Sequence, residues 1–357
     1  MEKGKRGKRT DAAKPAELTE LAELAELAEL AEPAELAKLA DGGVLLISRA
    51  LRAGWPRSTL TRTLHTEGWT RLRNGAWAEP GHVPDLVTRL RAEQLLEPRL
   101  VVSHRSAARL WLIETPTPPS ATPLDFTDPR LGYRPKANGV RVHRTLLHPD
   151  AVTERRGLRV TTPVRTLTDL LRAGPRDDAL IAVDSALSRR TVGGVRRGPL
   201  TTPAALTTAL DGNDRGSVRA RAWLPLASPR SGSPAETIAR LRMHEADLHP
   251  ELQAELHTLD GRRRFLDFLF RAEGLGIEIE GYAYHGTRTA HRQDIARFNQ
   301  IQQCPEVHRL LRFTAEEVFH RPQQIVAQIH TALTSTRAAP HHRLASATSR
   351  PTELNAG

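Results

Sequence analysis

Residues 262–281 constrain this chain most. They read RRRFLDFLF, then RAEGLG, then IEIEG, and the pattern predicts strand, turn, strand. Successive strand residues face opposite sides, so Ile277 and Ile279 point one way while Glu278 and Glu280 point the other. An antiparallel register that buries Leu266, Phe268 and Phe270 beside the isoleucines places Asp267 on the face of the two glutamates. Three carboxylates then converge. Like charges about 4 to 5 Å apart on neighbouring strands repel, and a divalent cation resolves that conflict. Carboxylate oxygens suit Mg²⁺ or Mn²⁺, which keep waters and substrate phosphate oxygens in their remaining positions. Asp267, Glu278 and Glu280 are therefore the candidate metal ligands and, with the metal, the candidate catalytic acids of phosphodiester hydrolysis.

Two more residues join the candidates. Glu236 lies on the helix expected to open this domain, where Ser233-Pro234-Ala235-Glu236 also reads as a capping box with Pro at the first helical position. The acid has two compatible roles, cap and site. His285, just past the second strand, is either a water- or phosphate-contacting group or a loop histidine. Arg262, Arg263 and Arg264 precede Asp267, and Arg288, Arg292 and Arg297 follow His285; such residues hold a phosphate backbone.

The balance of the chain agrees with a polyanionic partner. Lys and Arg exceed Asp and Glu by 52 to 41, for a formal charge of +11, which favours nucleic acid through counterion release. With 357 residues, 39% of them hydrophobic, there is material for two or three domains. The single cysteine, Cys304, excludes an internal disulfide framework and a Cys-rich zinc site. No apolar run reaches the roughly 18 residues of a membrane span. The expectation is a cytoplasmic protein with DNA as partner and no membrane or small-molecule cofactor.

Residues 1–33 combine a basic tail with an Ala-Glu-Leu repeat that ends at Pro33. A three-residue repeat advances a helix by about 300°, so its leucines form no fixed seam. Residues 34–82 predict helices over 34–40, 48–53 and 56–67 followed by a hairpin, a winged helix-turn-helix. In its third helix Leu60 and Leu64 share one face, while Arg57, Ser58, Thr61 and Arg62 cover the other. The hairpin carries Asn74-Gly75, which suits a type I′ turn, with Arg71 and Arg73 to one side of its first strand. These six polar residues are the candidate DNA contacts. Residues 83–200 mix helix and strand signals and form a middle α/β domain; Ser103, His104 and Asp169 lack the nucleophile elbow that a hydrolase triad of this type needs. Residues 201–232 read as a helical connector, 233–335 as an α/β/α nuclease-like domain, and 336–357 as a polar, aperiodic, disordered tail. The fold class is multidomain α/β.

The order Asp267, Glu278-Ile279-Glu280-Gly281, His285 and then LRFTAEEV from Leu311 resembles a domain-of-unknown-function family related to the very-short-patch-repair endonucleases, within the PD-(D/E)xK restriction-endonuclease-like superfamily. The resemblance spans residues 233–335. It implies that Asp267 and Glu278 take the metal-binding positions, Glu280 the place usually held by Asp before Gly, Glu236 that of the helical acid, and His285 that of the following histidine. No lysine fills the last position of the E-x-K pattern. Arg312 and Thr314 match the family's R-F-T strand. Residues 34–82 separately resemble the winged helix of type IV antitoxins of the AbiEi class, and the stretch from VVSHRSAARLW to RVTTPVRTLTDLL resembles the domain that commonly follows it.

Two functions remain open. One is a metal-dependent DNA endonuclease or nickase brought to DNA by a winged helix. The other is a non-enzymatic, antitoxin-like transcriptional regulator of phage defence whose nuclease-like domain has lost catalysis.

Overall fold

The structure, a computed structural model, describes residues 35–116, 123–130, 132, 139–280 and 288–338. The basic tail and Ala-Glu-Leu repeat, His285, and residues 339–357 lie outside the described residues. The chain is mixed α/β with several sheets. It divides into two compact units, Met1–Ser106 with Pro123–Thr162, and Ala107–Thr122 with Pro163–Gly357. The division runs through the middle segment 83–200, whose strands up to Thr161 belong to the first unit and whose later helices and hairpin belong to the second. No described helix is long and apolar enough to cross a membrane.

In the first unit α1 (Leu36–Leu39), β1 (Val44–Leu46), α2 (Ile47–Arg52), α3 (Arg57–Thr66), β2 (Thr70–Arg73) and β3 (Ala76–Ala78) follow in order, with sheet order β1-β3-β2. Leu60 and Leu64, one turn apart on α3, bury against Leu45, Ala50, Trp69 and Trp77. Strand β1 was not anticipated, because a three-residue apolar run has no period to read. The hairpin also differs from expectation. Gly75 has φ 88° but Asn74 is not left-handed, so the turn is not type I′, which needs positive φ at both positions. The register slips between Arg71 and Arg73, and Arg73 turns inward to an ion pair with the buried Glu93.

The same unit continues through α4 (Leu86–Leu96), whose N-cap Asp85 accepts from Thr88 N at 2.8 Å. It then adds β4 (Val101–Val102), the start of α5 (His104–Leu110), β5 (Leu124–Asp128), β6 (Val140–Arg144), β7 (Val152–Arg155) and β8 (Leu158–Thr161), in a sheet of order β6-β5-β4-β8-β7. His104 Nδ1 lies 3.0 Å from Ser103 Oγ. Asp169, in the second unit, accepts from Arg165 Nε at 2.8 Å.

The second unit begins with α6 (Pro163–Ala173), α7 (Arg176–Leu187), the hairpin β9 (Arg190–Val192) and β10 (Val195–Arg197), α8 (Pro203–Leu210) and α9 (Ser217–Trp223). There follow α10 (Pro234–Glu245), β11 (Glu251–His257), β12 (Arg263–Phe270), β13 (Leu275–Glu280), α11 (Arg288–Gln302), β14 (Arg309–Thr314), α12 (Ala315–His320) and α13 (Pro322–Ala338). The last four strands form one sheet in the order β11-β12-β13-β14, antiparallel except for the parallel pair β13 and β14. Both faces are covered. Ile238 and Met243 of α10, Val318 of α12 and Ile329 of α13 cluster with Phe268, Phe270, Ile277 and Ile279. Ile301 of α11 clusters on the other face with Leu256, Leu266, Leu269 and Cys304.

The expected register holds only in part. Phe268 pairs with Ile277 and shares a core with the isoleucines, but Leu266 packs into the opposite cluster. The alternation of β12 breaks at Asp267. Across from it the β11–β12 pairing passes from Leu252 to Ala254 and skips Gln253, which has φ 48°. An irregularity of this kind re-aims the side chains on either side of it.

Candidate carboxylate site

Asp267 stands where two strands part. The β12–β13 ladder covers Phe268–Phe270 against Leu275–Ile277; beyond it Ile279 N donates to Asp267 Oδ2 at 2.8 Å. The side chain replaces a backbone partner, satisfying a buried donor and aiming the carboxylate between the strands. Asp267 Oδ1 accepts from Gln253 Nε2 at 3.0 Å, and the same amide nitrogen donates to Glu236 Oε2 at 3.0 Å. One side chain thus ties the helical acid to the strand acid. Sequence reasoning missed Gln253, since β11 itself was not anticipated and a lone glutamine carries no motif.

Glu236 sits where the capping sequence places it. Ser233 Oγ accepts from Glu236 N at 3.1 Å, as an N-cap should. Its carboxylate, however, reaches one residue further back than a capping box would, to Gly232 N at 2.6 Å. Gly232 leaves room for this, because a Cβ there would fall 2.9 Å from Glu236 Oε1. Burial pushes Glu236 up to about 7, with the charge of Asp267 adding to the rise.

Glu278 is 7% exposed. Burial, the charge of Asp267 and a hydrogen bond with it together push its carboxyl up to about 9, against the opposing charge of Arg297. Arg297 Nη2 lies 2.7 Å from Glu278 Oε1, yet that oxygen accepts no aligned hydrogen bond. The contact is therefore a close approach without hydrogen-bond alignment. Glu280 has a different partner, Arg312 Nε at 2.7 Å, and the Arg312 guanidinium lies 4.6 Å from the centre of the Phe298 ring. The parallel neighbour β14 supplies this arginine, and Arg312 is also in register with Glu278.

The structure therefore gathers Glu236, Asp267 and Glu278, and leaves Glu280 with Arg312. Among the described residues no group of three or more His, Cys, Asp or Glu side chains is arranged to hold a metal ion. The donor chemistry nevertheless suits a hard cation. Asp267 has used two of its roughly four acceptor positions, and Glu278 Oε1 is buried without a hydrogen bond. Two oxygen-donor acids with water completing the shell is the way Mg²⁺ is usually held.

Of the surrounding arginines, Arg262 pairs with Asp260 and Arg263 with Glu255, while Arg264 donates to Gln300 Oε1. Arg292 is exposed. In the first unit Arg57, Ser58, Thr61 and Arg62 on α3 and Arg71 on β2 are exposed, whereas Arg73 is held by Glu93. A recess of about 460 Å³ between α2, α3 and the hairpin is lined by Arg57, Thr61, His65 and Arg71 with no carboxylate among its walls.

No family model matches the chain. Two relatives, the uncharacterized proteins MT2308 and Rv2248 of Mycobacterium tuberculosis strains CDC 1551 / Oshkosh and ATCC 25618 / H37Rv, are each 27% identical over 286 residues, 79% of this chain and 99% of theirs. The crystal structure of the RV2827C protein from Mycobacterium tuberculosis is similar at a TM-score of 0.38 and 19% identity, over 61% of this chain and 81% of that one.

Proposed function

We propose that the chain is a DNA-binding protein whose second unit hydrolyses phosphodiester bonds with a divalent metal, Mg²⁺ or Mn²⁺. The observation that carries this reading is the gathering of buried Glu236 and Glu278 about the half-buried Asp267, which Gln253 ties to Glu236, with the two glutamates pushed up to about 7 and 9. A cation that takes the place of the protons these acids keep offsets the charge that burial disfavours. The order of helix α10, the antiparallel strands β11 to β13, helix α11 and the parallel strand β14 supports the restriction-endonuclease-like resemblance.

Asp267 and Glu278 would hold the ion, which supplies charge neutralisation at the phosphate and a more acidic water. The chain supplies the rest. Gln253 orients Asp267 and Glu236 together, Ile279 N fixes the second Asp267 oxygen, and Arg297 brings a positive charge to within 2.7 Å of Glu278. Glu236, near neutrality in its proton affinity, is suited to take the proton of the attacking water. Hydroxyl joins phosphorus, the bond to the departing oxygen breaks, and that oxygen takes a proton from solvent water. Supercoiled plasmid incubated with Mg²⁺ or Mn²⁺ tests the reading: nicking that EDTA stops is expected, and an intact plasmid across both metals favours the regulator without catalysis.

We further assign α3 and the following hairpin to a winged helix that contacts DNA through Arg57, Ser58, Thr61, Arg62 and Arg71. Their exposure and the acid-free recess support this. Arg62→Ala is expected to weaken a gel shift several-fold and lower the salt slope by about 1, the mark of one lost phosphate contact. An unchanged slope removes Arg62 from the interface.

A further inference from the structure

Residues 137–357 contain no lysine. Within this stretch a fixed positive side-chain charge can come only from arginine, and one arginine is beside the acids. Arg297 Nη2 donates to Phe265 O at 2.9 Å and lies 2.7 Å from Glu278 Oε1. Its side chain is 44% exposed, whereas that of Glu278 is 9% exposed. The guanidinium thus spans the boundary between a buried acid and solvent.

The solvent side has its own character. Arg263, Arg264, Phe265 and Arg297 line an open recess of about 410 Å³ that no carboxylate lines. Phe265 is 45% exposed, an unusual state for a phenylalanine on a strand packed on both sides. Three guanidinium groups around one exposed ring suit a nucleic-acid strand, since guanidinium binds phosphate oxygens with paired donors and the ring packs against a sugar or base. The recess adjoins the acids through Arg297, which touches both, and through Phe265, two residues from Asp267.

We propose that this recess is the entry subsite for the phosphodiester backbone, and that Arg297 leaves Glu278 to bind the scissile phosphate. The proposal rests on the nuclease reading of the acids. With no ion present, the Arg297 guanidinium occupies the position beside Glu278 Oε1, at 2.7 Å. A divalent ion held at that oxygen would repel the guanidinium, and Arg297 would then bind a phosphate oxygen on the recess side. Phe265 contributes packing against the strand, without chemistry.

The experiment compares the full chain carrying Arg297→Gln or Arg297→Lys with the unaltered protein. Mn²⁺ affinity is measured by calorimetry, and single-turnover cleavage with a labelled duplex oligonucleotide. Removing the charge is expected to tighten Mn²⁺ binding about tenfold, because the ion no longer displaces an arginine, and to slow cleavage about 100-fold, as loss of one phosphate-stabilising charge does. Arg297→Lys should stay within about tenfold of the unaltered rate. Unchanged Mn²⁺ affinity in Arg297→Gln, or cleavage at the unaltered rate, overturns the proposal. Failure of the nuclease reading shows differently: the unaltered chain then cleaves no DNA, and calorimetry alone decides whether Arg297 guards Glu278.

Discussion

Asp267→Asn is expected to slow divalent-dependent nicking by about 10²- to 10³-fold while the unit stays folded. The substitution is nearly isosteric, and an asparagine oxygen can still accept from Ile279 N, now 2.8 Å from Asp267 Oδ2. What is lost is the negative charge at the junction of β12 and β13. The second amide group also meets Gln253 Nε2, a donor facing a donor where Asp267 Oδ1 accepts at 3.0 Å, so the link to Glu236 breaks as well. Glu280→Gln serves as the contrast. Glu280 is paired with Arg312 at 2.7 Å and stands apart from the gathered acids, so its change should cost less than about tenfold. Equal losses in the two variants, measured in the same plasmid assay, would return Glu280 to the site and remove the distinction drawn from the structure.

Without metal the second unit should lose stability as pH rises from 5 to 9. The ordinary value for a glutamate carboxyl is 4.5, and the folded protein pushes Glu236 up to about 7 and Glu278 up to about 9. Between 4.5 and those values the folded state holds protons that the unfolded state has released. Stability therefore falls with increasing pH across that window, and is fully present below it. One unit of pKa is worth about 1.4 kcal/mol, so the rise of Glu236 from 4.5 to about 7 alone corresponds to a loss of about 3 kcal/mol by the time the pH passes 7. At about 2 to 4 °C per kcal/mol for a unit of this size, the melting temperature should drop by roughly 5 to 10 °C. Mg²⁺ should restore most of it at pH 9 and little at pH 5, because the ion binds the deprotonated acids. Glu278→Gln should flatten most of the slope. A melting temperature that rises between pH 5 and 9 in EDTA, or the same slope in Glu278→Gln, would mean that these acids are not held protonated.

The readable part of the site was local. Two-residue alternation in IEIEG put Glu278 and Glu280 on one strand face, and the Ser233 to Glu236 spacing put an acid at the first turn of α10, where Ser233 caps it. What lay beyond reach was long-range. Arg312 pairs with Glu280 only because β14 runs parallel to β13 after a helical crossover, and nothing near residue 280 announces that partner. Gln253 matters because a left-handed residue on β11 falls opposite Asp267, a coincidence of two strands in space. Arg73 was drawn inward by Glu93, which lies 20 residues later on α4, and the Asn-Gly turn alone could not disclose it. Helix α3 was easier, since the spacing of Leu60 and Leu64 already fixes which side faces the core.

The proposed mechanism has Asp267 and Glu278 share a divalent cation. Anomalous diffraction from crystals soaked in Mn²⁺ reports this directly. A single peak within about 2.0 to 2.4 Å of an oxygen of each acid is expected, with water in the remaining positions. Mn²⁺ bound only elsewhere, in crystals of a preparation that nicks plasmid, would contradict it.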